Sequence, residues 1–162
     1  MLDAWLEIGA RLSLSVVAGA VIGLNRDLHN KPAGVRTHGL VSLGTALAVI
    51  VVLPPGEDLS QHHDALSRVV QGVVTGIGFL GAGVILRNPA GKRVHGLTTA
   101  AAIWFAAILG LACGAGRYGA VLTGLALGLV VVLLGGPFEQ WFRRDGAHAV
   151  ESDPDRPSPP EA

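Results

Sequence analysis

Asn25, Arg26 and Asp27 close the first apolar run of this chain, and Arg36, Thr37 and His38 open the second. A guanidinium, a carboxylate and an imidazole at helix ends can form an ion-pair network or receive an anionic headgroup. The same basic residues also suit plain anchoring at the positive side of a bilayer. Ser42 and Thr45 follow His38 in the second run. Thr98 and Thr99 open the fourth, and Cys113 lies near its far end. Threonine in such places can cap a helix or bond to a carbonyl of the preceding turn. For His38 and His95 the choice is between hydrogen bonding at an interface and handling a proton or ion. Gln71 and Thr75 place an amide and a hydroxyl within the third run. His62, His63 and Asp64 are adjacent, without the helical i, i+4 spacing that would turn two imidazoles toward one metal, so they read as a solvated loop.

Several function classes drop out. No Ser-His-Asp order, no paired carboxylates within an apolar run and no zinc-type spacing occurs, so neither an enzyme nor a cofactor is expected, and no metal ligand set can be named. The single cysteine rules out an intrachain disulfide. The net charge of zero gives no bulk field for nucleic acid. The stretch GIGFLGAG has the glycines of a nucleotide loop, but no lysine follows and no soluble strand precedes it.

The elements that must position these residues are membrane helices. Half of the 162 residues are hydrophobic and 15% are charged, against about 25% charged in an ordinary soluble domain. A spanning helix needs about 20 mainly apolar residues. Five segments qualify: Trp5–Leu24, Val35–Leu53, Leu66–Leu86, Leu97–Ala115 and Tyr118–Gly136. The expected fold is therefore an all-α membrane protein, a bundle of about five transmembrane helices over residues 1–140. Short polar connections leave too little polar surface to cover five such helices in water, whereas a bilayer suits them. Asp3 and Glu7, with no basic stretch before them, speak against a cleaved signal peptide. Glu7 and Arg11 stand i, i+4 with the acid first, the favourable order for a helical ion pair. Residues 141–162, rich in proline, acid and small side chains, are expected to form a disordered cytoplasmic tail.

Orientation follows from the connections. Arg26, Lys31, Arg36, Arg87, Lys92, Arg93, Arg143, Arg144 and Arg156 fall on one side, and Arg68 and Arg117 on the other. Nine against two places the N-terminus outside and the C-terminus in the cytoplasm. Trp5, Trp141 and Phe142 fall at the expected interfaces. An internal repeat is hinted at by Arg36-Thr37-His38-Gly39-Leu40 and Arg93-Val94-His95-Gly96-Leu97, each opening a helix, which would make two like hairpins.

Glycine accounts for 23 residues, mostly inside apolar runs. In a membrane bundle it permits close backbone approach. The third run carries Gly72, Gly76, Gly78, Gly81 and Gly83, read as a helix-packing or dimerisation face, with a hinge or unwound segment as the alternative. Gly19 with Gly23, and Gly110 with Gly114, repeat the four-residue spacing.

Read together, GAVIGLNRD (19–27), AGVRTHGLVSLGTAL (33–47), GIGFLGAGVILR (76–87) and HGLTTAAAIWFAAILGLACGAG (95–116) resemble the MgtC/SapB family of bacterial membrane proteins. The resemblance covers residues 19 to 120. It implies a five-helix domain in the bacterial inner membrane, linked to growth under magnesium limitation. Matching polar positions are Arg26, Arg36, Thr37, Thr98, Thr99 and Cys113. The family typically has an acid where this chain has Asn25, which would weaken a cation-binding role there or pass it to Asp27. Longer members carry a soluble C-terminal domain, so this chain is expected to act through its helices and short connections. Two functions follow: regulation of another membrane complex tied to magnesium, or transport of Mg²⁺ or another cation. The bilayer is the one certain partner, with a second copy, another membrane protein and Mg²⁺ left open.

Overall fold

The computed structural model describes residues 2–87 and 94–151, with side chains described from residue 2 to 135 except for 86–95. Five helices appear in order: α1 (Leu2–Leu28), α2 (Val35–Val52), α3 (His63–Val84), α4 (Leu97–Gly114) and α5 (Tyr118–Glu151). All five are long and apolar enough to cross a membrane, and the expected all-α bundle is what the chain forms. Apolar windows mark bilayer depth and not helix ends, so α1 runs beyond Trp5–Leu24 at both ends. α5 continues to Glu151, so the segment expected to be a tail from residue 141 begins within a helix. Lys92, Arg93 and residues 152–162 lie outside the described residues, as do the side chains of Arg87, His95, Trp141, Phe142, Arg143 and Arg144.

Helix ends are set locally. After α1 the chain turns through Asn30, at φ 51°, where the amides of His29, Asn30 and Lys31 bond back to Arg26 and Asp27 carbonyls. Asparagine tolerates this left-handed conformation, and Pro32 cannot extend the helix. α2 starts after Gly34, which has no side chain to cap it. Asp27 supplies the cap from α1 by accepting the Val35 N–H at 2.9 Å. Between α3 and α4 the strands β1 (Leu86–Arg87) and β2 (Val94–His95) pair antiparallel, Leu86 with His95 and Arg87 with Val94. α4 then opens at Gly96, whose φ of 94° and contact with the Val84 carbonyl leave no room for a Cβ.

The chain divides into two compact units, residues 1–128 and 129–162. In the first, α1, α2 and α4 form the core. Gly19 of α1 sits on the His38 carbonyl and 2.9 Å from Ser42 Cβ, measured from where its own Cβ would stand; for Gly23 the distance to Val35 Cα is 2.6 Å. Gly110 and Gly114 of α4 meet the other flank of α2, at Ser42, Thr45, Ala46 and Val49. A third such pair, Gly124 and Gly128 of α5, lies against Phe105 of α4.

The glycine run of α3 behaves otherwise. Among the described residues, Gly72, Gly76, Gly78 and Gly83 have no neighbouring atom within 4 Å of an added Cβ, and only Gly81 packs, on Ala100 at 3.6 Å. Within the chain, the reading of this run as a packing face is corrected to Gly81 alone. The physical reason is periodicity: Leu66, Val69, Val73 and Ile77 form the stripe that enters the apolar clusters with α2 and α4. Gly72 and Gly76 each stand one residue, about 100°, off it.

The two RxHGL motifs also part company. Thr37, His38 and Gly39 lie in the first turns of α2, whereas Val94 and His95 form β2 and Gly96 precedes α4. The shared letters thus occupy different conformations at the two helix openings.

Candidate polar core of the bundle

Polar side chains thread the contact between α1, α2 and α4. At the end where α1 meets α2, Arg26 is 6% exposed and its Nη2 donates to Thr99 Oγ1 of α4 at 2.7 Å. Its Nε is buried without a partner among the described residues. One turn into α2, His38 is fully buried and its Nδ1 lies 3.0 Å from the Gly34 carbonyl. A carbonyl only accepts, so Nδ1 carries the proton, and in the neutral ring Nε2 is left as a buried acceptor with no partner among the described residues. Ser42, a further turn along, is fully buried with an unpartnered hydroxyl. Thr45 shares its one hydroxyl proton between the Ser42 carbonyl of its own helix and the Ala107 carbonyl of α4, both at 3.0 Å. From Val35 to Thr45 this ladder climbs about 15 Å at 1.5 Å per residue. Ser15 of α1 adds a buried hydroxyl bonded to its own Leu12 carbonyl at 2.7 Å.

A second polar cluster lies at the opposite end of α1. Arg11 Nε pairs with Glu7 Oε1 at 2.8 Å, as the i, i+4 spacing predicts. Its Nη1 reaches the Gly114 carbonyl at 2.9 Å, so the guanidinium turns inward and does not snorkel outward. The Tyr118 hydroxyl donates to the same Glu7 oxygen. Three helices are thereby joined around one carboxylate. Beside it is a cavity of about 270 Å³, lined in part by Arg11, Glu57, Leu59 and Arg117.

The residues singled out from sequence separate accordingly. Arg26 and Thr99 come together in the core. Asp27 is exposed and serves as the cap of α2. Arg36, Thr37 and Thr98 are exposed and stand outside the polar ladder. Cys113 is fully buried, 14 residues further along α4 than Thr99, and shares no hydrogen bond with it. Among the described residues, no three His, Cys, Asp or Glu side chains gather as a metal site would require. His62 is bonded to the Asp58 carbonyl at 3.0 Å in an exposed connection. Sequence reasoning missed Ser15, whose lone hydroxyl in an apolar run carried no pattern, and Tyr118 as the partner of Glu7.

Known proteins share this pattern. A model described as the MgtC family matches residues 12–141. Protein SrpB of Synechococcus elongatus is 50% identical over 127 residues, covering 74% of this chain and 70% of that protein. The putative magnesium transporter YhiD of Escherichia coli K12 is 42% identical over 130 residues, covering 78% of this chain and 59% of its own length. Protein SapB of Bacillus subtilis is 36% identical over 138 residues, covering 82% of this chain and 59% of SapB. The chain thus spans about three fifths of the length of YhiD and SapB. No solved structure matches. With most of its length matched by one family model and relatives well above 30% identity, this multi-pass membrane protein belongs to the MgtC family.

Proposed function

We propose that the chain serves magnesium homeostasis in the bacterial inner membrane by regulating another membrane complex, through binding and not catalysis. The observation that carries this reading is Arg26. A path for Mg²⁺ through the α1, α2 and α4 contact would pass a buried guanidinium held by a hydroxyl. Mg²⁺ dehydrates reluctantly and takes carboxylates and water. The nearest acid in sequence, Asp27, is exposed and bonded to a backbone amide. The basic connections support an outside N-terminus and a cytoplasmic C-terminus, with residues 141–162 as a cytoplasmic tail. The outer face of α3, with Gly72, Gly76 and Gly78 free of contacts, is the surface for a partner helix, from another membrane protein or a second copy.

The alternative, Mg²⁺ transport, rests on the name of the YhiD relative. The two separate in proteoliposomes of the purified chain loaded with a Mg²⁺-sensitive dye. Regulation predicts no entry above empty vesicles. Entry that falls in Asp27→Ala would establish transport instead. Crosslinking from Phe79 in membranes of magnesium-limited cells should trap one membrane complex whose activity changes when the purified chain is added.

A further inference from the structure

We infer that the end of the bundle where α1 meets α2 is a receptor for a phosphate oxyanion, with Arg26 as its principal donor and Thr99 as the second. A guanidinium carries five N–H donors in a fixed fork and keeps its charge at any working pH. Here it is nine-tenths buried, its one protein partner among the described residues is a neutral hydroxyl, and its Nε has none. A buried charge is stable only when paired and hydrogen-bonded. No carboxylate of the described residues stands within ion-pair distance of Arg26; the one such pair is Arg11 with Glu7. Asp27, adjacent in sequence, is turned to solvent with its Oδ2 on the Val35 amide and its other oxygen against Gly34. Thr99 accepts from Arg26 and so keeps its own proton to donate.

The surroundings select the sign and class of ligand. Lys31 and Arg36 stand exposed at the same end. Against them stands the exposed Asp27, whose carboxylate is engaged by the Val35 amide. Anions are drawn to such a field and cations are repelled. A tetrahedral phosphate offers several acceptor oxygens to a guanidinium fork and a hydroxyl together. Arg26 lies two residues from the end of α1, about 3 Å along the axis, and the end of a helix long enough to cross a bilayer comes within reach of headgroup phosphates. The oxyanion therefore comes either from an anionic lipid at the bundle edge or from free phosphate in the aqueous phase.

The inference rests on the same site as the functional reading, but its test reads binding and not flux or partners, so either can fail alone. Purified, delipidated full chain in detergent is titrated with phosphatidylglycerol, with diacylglycerol or with inorganic phosphate, and retained ligand is counted by native mass spectrometry. Wild type should retain one phosphate-bearing ligand per chain and no diacylglycerol. Retention of phosphatidylglycerol alone assigns the lipid source, and displacement of it by inorganic phosphate assigns the free ion. Arg26→Gln should weaken retention at least tenfold, Arg26→Lys less because charge remains without the fork, and Thr99→Val several-fold. Should Arg26→Gln fail to fold, the other two variants decide. Retention equal to wild type in both Arg26→Lys and Thr99→Val, or no phosphate-dependent retention by wild type, overturns the proposal.

Discussion

Replacing Gly110 with alanine puts the packing account to its hardest test. A Cβ at this position would collide with Thr45 Oγ1 and the Ser42 carbonyl oxygen and lie 2.9 Å from the Ser42 carbonyl carbon. The latter two are backbone atoms of α2 and cannot rotate away, so α2 and α4 must separate. Overpacking of this kind costs about 1–3 kcal/mol. The separation also strains the Thr45 bond to the Ala107 carbonyl, worth about 0.6 kcal/mol between membrane helices. Alanine recovers up to about 1 kcal/mol of helix propensity. The net expectation is a loss of about 0.6–2.6 kcal/mol. Gly72→Ala is the matched control: the same spacing motif and the same added methyl, but nothing within 4 Å, so its effect should lie between zero and about 1 kcal/mol of gain. Thermal unfolding in mild detergent, followed by tryptophan fluorescence, reads both. A midpoint lowered by several degrees in Gly110→Ala, beside an unchanged or raised one in Gly72→Ala, is the expected pair. If Gly110→Ala unfolds at or above the temperature of Gly72→Ala, the α2–α4 contact is not as close as described and the reasoning fails.

Tyr118→Phe removes the hydroxyl that ties α5 to Glu7 and should cost about 0.5–1.5 kcal/mol; in Arg11→Ala the additional cost should shrink, which a double-mutant cycle measures. Cys113 is fully buried, so in native membranes a maleimide should label it far more slowly than after denaturation, since only an accessible thiolate reacts. In the connection before α3, the Ser60 hydroxyl and backbone amide hold the Asp58 carboxyl below its ordinary range. A carboxyl lowered on folding contributes order above its unfolded pKa, about 3.9, and that order is lost as pH falls through the folded value. Hydrogen exchange at the Ser60 amide should therefore stay protected from neutral pH to about 5 and lose protection below about 4, and a profile flat to pH 2 would contradict the cap.

Much of this was legible before any coordinates. Mean composition and run length fix five spans, because a bilayer demands a long apolar helix for every crossing and little else has that signature. The Glu7–Arg11 pair follows from helical spacing alone. Arg26 and Thr99 could be singled out as polar residues at helix ends, yet their contact joins positions 73 apart in sequence, which no local pattern carries. Asp27 illustrates a different limit. Its type suited a cation ligand, but the missing side chain at Gly34 leaves the first amide of α2 without a local cap, and the acid is drawn there. The glycine run of α3 was the loudest motif and the least packed, because spacing shows that two backbones can approach and says nothing about which face meets a neighbour. The shared letters of the two RxHGL segments do not carry one conformation either: β2 pairing takes Val94 and His95 out of the helix, whereas Thr37 and His38 join theirs.

The glycine contacts and the polar ladder are one device. A hydroxyl or guanidinium inside a bundle must find an acceptor, and in a bilayer the remaining acceptors are carbonyls of neighbouring helices, which ordinary side chains keep out of reach. Gly110 brings α4 close enough for Thr45 to bond the Ala107 carbonyl one turn before it. Gly114 presses on Ala46 of α2 while its own carbonyl accepts from Arg11 of α1. Gly19 rests on the His38 carbonyl at the level where His38 and Ser42 are buried. At Gly110 and Gly114 the close approach lets polar groups be satisfied across helices. Toward the Arg26 end Gly19 and Gly23 bring α1 just as close to α2, yet Nε of Arg26, Nε2 of His38 and the Ser42 hydroxyl have no partner among the described residues. The satisfied part of the ladder is thus structural, and the unsatisfied part is where a ligand or a conformational partner has work left to do.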